Sequence, residues 1–274
     1  MSSLERLLSV LDLFTEERPI WTLEDIIETH SFSRSMAYRY VKELSDSGLL
    51  MPIGRGRFVL GPRIIELDRQ IRVCDPLLAV SQSIMLSTIE EVGDGILTLS
   101  SLYGERIICT HQEPESSPLR VTHSRGRTLP LFSSSTSRAI VANLPERKLV
   151  KLFLEHRPEI SAGGLGNEWA EFKKKLAEIR RAGICLSHGA IDPGVVCAAV
   201  PLFNGKSNVV GAICLVQADQ GREISRRDKD LVRAAAARIS EGVGNLLSQD
   251  VMKPLPQKAA GPFLANAGVA LAEV

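Results

Sequence analysis

The chain has 274 residues, 44% of them hydrophobic and 24% charged, with a formal net charge of +1. That length supports two ordinary domains, each burying its own core, and the composition is that of a globular protein. No apolar run approaches the ~18 residues of a membrane span, the first residues lack a signal-peptide pattern, and five cysteines without a C-x-x-C argue against a disulfide framework, so the expected location is the cytoplasm.

Charge is unevenly spread at the start of the chain. Residues 1 to 30 hold two arginines against seven acids, a net of −5, whereas residues 31 to 63 hold six bases against two acids, a net of +4. A small unit with one basic side and an acidic back orients itself on a phosphate surface.

The elements follow in order. Leu4, Leu7, Leu8, Leu11 and Phe14 recur at helical spacing, and Pro19 closes that segment. Thr22 with Asp25 three residues on predicts a capping box and a short helix through Leu23, Ile26 and Ile27. After a brief turn, "FSRSMAYRYVKELSDSG" carries two stripes. Opened by Ser33 as N-cap and stopped at Gly48, the helix places Ala37, Tyr40, Val41 and Leu44 on a face to be buried. Ser35, Tyr38, Arg39 and Lys42 repeat the spacing on a face that carries almost no acid. Two strands around the tip Gly54-Arg55-Gly56-Arg57 complete a winged helix-turn-helix.

In that arrangement Ser33, Arg34, Ser35, Met36, Tyr38 and Arg39 are the groove candidates. Arg34 or Arg39 suits bidentate pairing with guanine, Met36 a thymine methyl, and Lys42 a phosphate. Arg55 and Arg57 at the wing tip suit phosphate or a minor groove, and Thr22 belongs to the same surface.

Pro62 suits the start of a new helix bearing Ile64, Leu67 and Ile71 on one side, interrupted at Asp75-Pro76 and followed by a helix from Leu77 to Val92. From Gly95 onward, strand pairs around Tyr103-Gly104 and Asn204-Gly205 alternate with helical segments at 135–144, 146–155 and 168–182, and a last amphipathic helix covers 225–247. This predicts an α+β domain with an antiparallel sheet. The remainder, rich in Ala, Pro and Gly without periodicity, reads as disordered. Expected boundaries are 1–61 for the DNA-binding unit, 62–76 for a linker helix, 77–248 for the second domain and 249–274 for the tail.

Catalytic fingerprints are missing from the sequence. There is no G-x-S-x-G, "GGLG" at Gly163 to Gly166 lacks a dinucleotide context, and Gly205-Lys206-Ser207 lacks the first glycine of a P-loop. Neither enzyme nor cofactor is expected. Cys109 and His111 at i, i+2 read as sharing a strand face, and Cys185 lies near His188, but neither spacing is that of a metal site, so no metal is expected.

With those pieces in order the chain resembles the IclR family of bacterial transcription regulators over residues 3 to about 248. The segments that carry the resemblance are "SLERLLSVLDLFTEERPIWTLEDI", "SRSMAYRYVKELSDSGLL", "RFVLGPRIIEL", "RGRTLPLFSSSTSRAIVA", "AEIRRAGICLS", "DPGVVCAAVPLF" and "VVGAICL". The resemblance implies an N-terminal winged helix-turn-helix for double-stranded operator DNA and a GAF-like domain for a small effector. It also implies a homodimer, often paired into a tetramer on DNA, and no membrane. Positions matching family effector contacts are Val121, Leu129, Ser135, Thr136, Ser187, Val195, Cys197, Cys214 and Val216.

Two departures bear on the effector. Ser137-Arg138 replaces a common Gly-Lys pair, and Ala190 follows Gly189 where an acid is common. Relatives that take small polar acids carry two hydroxyls where Cys214 and Val216 stand, which predicts a less polar pocket here. A helix start at Ser135-Thr136, with Arg125, Arg127 and Arg138 nearby in sequence, suits a carboxylate. The sequence therefore predicts a small, partly apolar organic acid as effector, with thiol sensing at Cys197 or Cys214 as the alternative.

Overall fold

A computed structural model of the chain describes residues 2–248 apart from 118, 120, 123, 206, 207 and 222. The expected tail and the Lys206-Ser207 segment lie outside the described residues. The chain separates into two compact units that divide between Asp75 and Pro76.

The first unit begins with helix α1 (Ser3–Ser9) and a single 3-10 turn (Leu11–Leu13). The segment expected as one helix is thus broken, and Val10 at the break is fully buried. Helix α2 (Leu23–His30) starts at Thr22, whose side chain accepts from the Asp25 amide while Asp25 reaches back to the Thr22 amide. Helix α3 (Arg34–Asp46) starts at Ser33 and buries Ala37, Tyr40, Val41 and Leu44, the apolar stripe legible in the sequence. These pack with Val10, Trp21, Ile26 and Leu50 into one core.

Strands β2 (Leu50–Pro52) and β3 (Arg57–Leu60) form the wing, and a third strand, β1 (Trp21–Thr22), pairs with the far edge of β3. At its base the chain passes itself closely. A Cβ on Gly61 would stand 2.1 Å from the Gly48 carbonyl oxygen, and Gly48 itself has φ +73°, so both positions require glycine. Helix α4 (Arg63–Cys74) follows and buries no residue.

The second unit is a six-stranded antiparallel sheet with strand order β6-β5-β4-β9-β8-β7. Its strands are β4 (Ile96–Tyr103), β5 (Arg106–Glu113), β6 (Thr128–Leu129), β7 (Cys185–His188), β8 (Val195–Phe203) and β9 (Val209–Ala218). On one face, Leu97, Leu99, Val200 and Leu215 pack against helices α5 (Pro76–Val92) and α10 (Arg226–Ser248). Ile107, Cys109 and Ala212 pack on the other face against α6 (Ser135–Val141), α7 (Glu146–Glu155), α8 (Arg157–Ala162) and α9 (Trp169–Ala182). This is the α+β class that the sequence predicts.

One strand-face expectation fails. The β4–β5 register shifts between Leu99 and Ser100, so His111 pairs with Leu99 while Cys109 pairs with Ser100. The bulged residue is Thr110. Cys109 and His111 therefore face opposite sides of the sheet, and His111 Nε2 meets Glu113 Oε1 at 2.9 Å in a buried pair instead.

Candidate nucleic-acid interface and effector cleft

The exposed face of α3 is polar by construction. Ser33, Arg34, Ser35, Tyr38, Arg39 and Lys42 are all exposed, Tyr38 at 62%, while Ala37, Tyr40, Val41 and Leu44 point inward. The first turn of the helix holds no acid, so its positive end is left for an anion. Arg34 lies 3.6 Å from Glu24, but both side chains are largely exposed, and a pair of that kind yields easily to a phosphate or a base edge. Arg39 sits over the Tyr40 ring, 5.6 Å from its centroid.

Two predicted contacts change character. Met36 is only half exposed because its side chain packs on the Tyr40–Leu44 core. The Thr22 hydroxyl is occupied, donating to Asp25 Oδ2 at 2.6 Å while accepting from the Asp25 amide at 3.1 Å. At the wing, Arg55 adopts φ +53° at the tip, and Arg57, placed on the tip by the sequence, is instead the first residue of β3, opposite Thr22. Both are exposed.

In the second unit, strand alternation aims Val195 and Cys197 of β8, Cys214 and Val216 of β9 and Ser187 of β7 at the start of α6. Cys197 pairs with Ser187 on one side and with Val216 on the other, so these three form a row across the sheet. The structure brings all nine predicted effector positions, Val121, Leu129, Ser135, Thr136, Ser187, Val195, Cys197, Cys214 and Val216, to the walls of one small cavity of about 40 Å³. Thr98, Ser134, Ala190, Ile191 and Asp192 complete it; of these the sequence pointed only to Ala190, as a departure bearing on the effector, and to the serine run that contains Ser134. Thr98 carried a readable signal too, as a hydroxyl in alternation on a predicted strand.

The polar end of the cavity lies at α6. Ser134 caps the helix by accepting from the Ser137 amide at 3.3 Å, which leaves the Ser135 and Thr136 amides without intrahelical acceptors. Ser135 Oγ lies 4.0 Å from Cys214 Sγ, and Thr98 Oγ1 lies 3.5 Å from the Cys214 carbonyl oxygen. The arginines expected to add positive potential are turned elsewhere. Arg138 donates through Nε to the Phe132 carbonyl at 2.7 Å and through its other end to the Gly163 carbonyl, and Arg125 donates to the Thr110 carbonyl. Neither they nor Arg127 lines the cavity. A carboxylate here would be held by hydroxyls and amides.

The mouth is strapped. The Asp192 carboxylate accepts from the Thr122 amide at 3.1 Å to each oxygen, and also from the Thr122 hydroxyl. This ties the loop carrying Val121 to the loop carrying Ala190 and Ile191. Among the thiols, the contact with Cys214 and burial push Cys197 far above its ordinary range. Cys214 is drawn down by that contact and by the Thr136 and Ser135 hydroxyls. Burial raises Cys185 and Cys109 to about 11. A protonated Cys197 is a poor nucleophile.

Comparison with known proteins agrees in both units. The IclR helix-turn-helix domain matches residues 3–51, and the bacterial transcriptional regulator IclR C-terminal domain matches residues 75–241. The HTH-type transcriptional regulator XynR of Escherichia coli is 25% identical over 225 residues, covering 78% of this chain and 85% of its own. The transcriptional repressor IclR of the same bacterium is 24% identical, covering 78% and 79%. An IclR homologue of Microbacterium hydrocarbonoxydans, solved in complex with 4-hydroxybenzoate, superposes with a TM-score of 0.70 at 23% identity, covering 88% of this chain and 99% of its own. An IclR regulator of Alicyclobacillus acidocaldarius does so with a TM-score of 0.70 at 22% identity, covering 88% and 98%. Among the described residues no helix is long and apolar enough to cross a membrane. With a winged helix-turn-helix presenting a basic, acid-poor face and a second domain matched over its full sheet, the chain belongs to the IclR family of DNA-binding bacterial transcriptional regulators, whose members are not enzymes.

Proposed function

We propose that this regulator responds to a small, partly apolar organic acid and controls a catabolic or metabolic operon. The observation that carries the reading is the cavity under Val121. One end offers the amides and hydroxyls of Ser135 and Thr136, and the rest is walled by Leu129, Val195, Val216 and thiols. Such a wall costs an aromatic or branched body little in desolvation while the hydroxyl end meets a carboxylate. The 4-hydroxybenzoate in the Microbacterium homologue is an acid of this kind. At about 40 Å³ the cavity is too small for a ring as it stands, so entry requires the Thr122 to Asp192 strap to part.

In this reading residues 1–61 bind DNA, α4 is the connector, and two recognition helices of a homodimer, or of its tetramer on DNA, read successive half-sites. Arg34 and Arg39 contact bases, Ser33, Ser35, Tyr38 and Lys42 fix the register, and Arg55 and Arg57 follow the wing to phosphates. Effector binding changes the half-site spacing, and a coupling of ~1 to 3 kcal/mol shifts operator affinity by up to ~100-fold. The test is a mobility-shift titration on DNA upstream of the protein's own gene, with and without a panel of aromatic and aliphatic acids. An acid-dependent change in affinity supports the reading, and a titration that no acid alters contradicts it.

A further inference from the structure

A second cavity lies in the same domain, between the β4–β5 turn and the α6–α7 helices. It measures about 250 Å³, roughly six times the first, and shares no lining residue with it. Leu102, Ile107, Leu131, Val141 and Leu152 form its walls. An apolar void of about 150 Å³ already accepts benzene, and one left empty forfeits packing along its whole lining. Sequence gives no reason for the core to leave such a space unfilled, since Phe132, Phe153, Trp169 and Phe172 pack closely in the adjoining cluster.

The mouth carries more positive than negative groups. Lys148 and Lys151 stand there against a single lining acid, Glu105. Lys151 is satisfied, with Glu105 Oε1 at 2.6 Å and Glu155 Oε2 at 3.9 Å. Lys148, one helical turn earlier on α7, has no carboxylate within 4.0 Å among the described residues, although its field reaches Glu105. An apolar chamber with an unengaged ammonium at its rim matches an amphiphile whose tail is buried and whose head is anionic.

We infer that this chamber is a second ligand site and that it takes a medium-chain carboxylate, tail inward and head at Lys148. It lies apart from the effector cleft, with which it shares no lining residue. The two sites touch opposite ends of α6, Thr136 at its start and Val141 at its end.

The experiment is a calorimetric titration of the full-length protein with octanoate, and with octylamine as a probe of the same tail and opposite charge. Octanoate is expected to bind saturably at one site per chain and more tightly than octylamine. Lys148→Glu, a change on an exposed helical position, is expected to weaken octanoate on the order of tenfold. Leu152→Trp fills the chamber and abolishes binding of both probes, and Val216→Trp, which blocks the effector cleft, leaves octanoate unchanged. Should Leu152→Trp fail to fold, Lys148→Glu decides alone. No saturable octanoate binding up to about 1 mM, equal affinity for Lys148→Glu, or loss of octanoate binding in Val216→Trp overturns the inference.

Discussion

Asp192 holds Thr122 by two hydrogen bonds to its amide, each 3.1 Å, and a third to its hydroxyl, so one carboxylate closes the cleft and also contributes to its wall. The two roles separate on substitution. Asparagine keeps one oxygen for the Thr122 amide and removes the negative charge. Asp192→Asn is therefore expected to tighten an anionic effector about two- to fivefold, the gain from deleting a like charge a few ångströms away in a partly hydrated site. A neutral analogue such as the corresponding amide should bind unchanged. Parallel titrations of acid and amide read the difference.

Thr22 sits where a DNA contact was expected but spends its hydroxyl on the α2 cap. Thr22→Ala should lower the stability of the first unit by ~1 kcal/mol, and Thr22→Ser should restore it. The hydrogen bonds from Thr22, with the Arg18 guanidinium at 2.7 Å, hold the Asp25 carboxyl below its usual value. A depressed folded pKa gives stability that is fully present above the unfolded value of about 3.9 and is lost as pH falls through the folded one. Thermal melts across that acid range should show the loss in wild type and much less of it in Thr22→Ala.

The thiols offer a check on the alternative sensing mode. Cys74 is exposed, whereas Cys109, Cys185 and Cys214 are buried and Cys197 is held protonated by its contact with Cys214 and by burial. A colorimetric disulfide reagent should label one cysteine per native chain quickly, lost in Cys74→Ser, and the others only on unfolding. Operator binding should survive peroxide equally in wild type and Cys197→Ser. Peroxide release of DNA that disappears in Cys197→Ser would place sensing at the thiols.

What the sequence made legible follows periodicity. The α3 stripes and the helices at 146–155 and 169–182 extend over enough residues for apolar spacing to declare itself, and the short wing strands are marked by the glycines of their turn. The two-residue strands Trp21–Thr22 and Thr128–Leu129 are too short for any period, and they exist only because a longer neighbour supplies partners. The bulge at Thr110 reverses the face of every later residue on β5, which alternation alone cannot reveal. Side-chain direction was equally hidden: Arg138 is adjacent to the cleft in sequence, yet it reaches back to the Phe132 and Gly163 carbonyls. The wall residues matched to family positions converge on one cavity, while Asp192 and Ile191 arrive from a loop whose path depends on tertiary contacts.

The central claim, that the acid-poor face of α3 reads operator DNA, is tested most directly by equilibrium binding of wild type, Arg39→Ala and Arg55→Ala to operator and to scrambled DNA over a range of salt. Arg39→Ala is predicted to lose ~1 to 3 kcal/mol on the operator and little on scrambled DNA. Arg55→Ala should weaken both alike and reduce the salt slope by about one. Operator affinity undiminished in Arg39→Ala and in the double variant with Arg34→Ala would contradict the account.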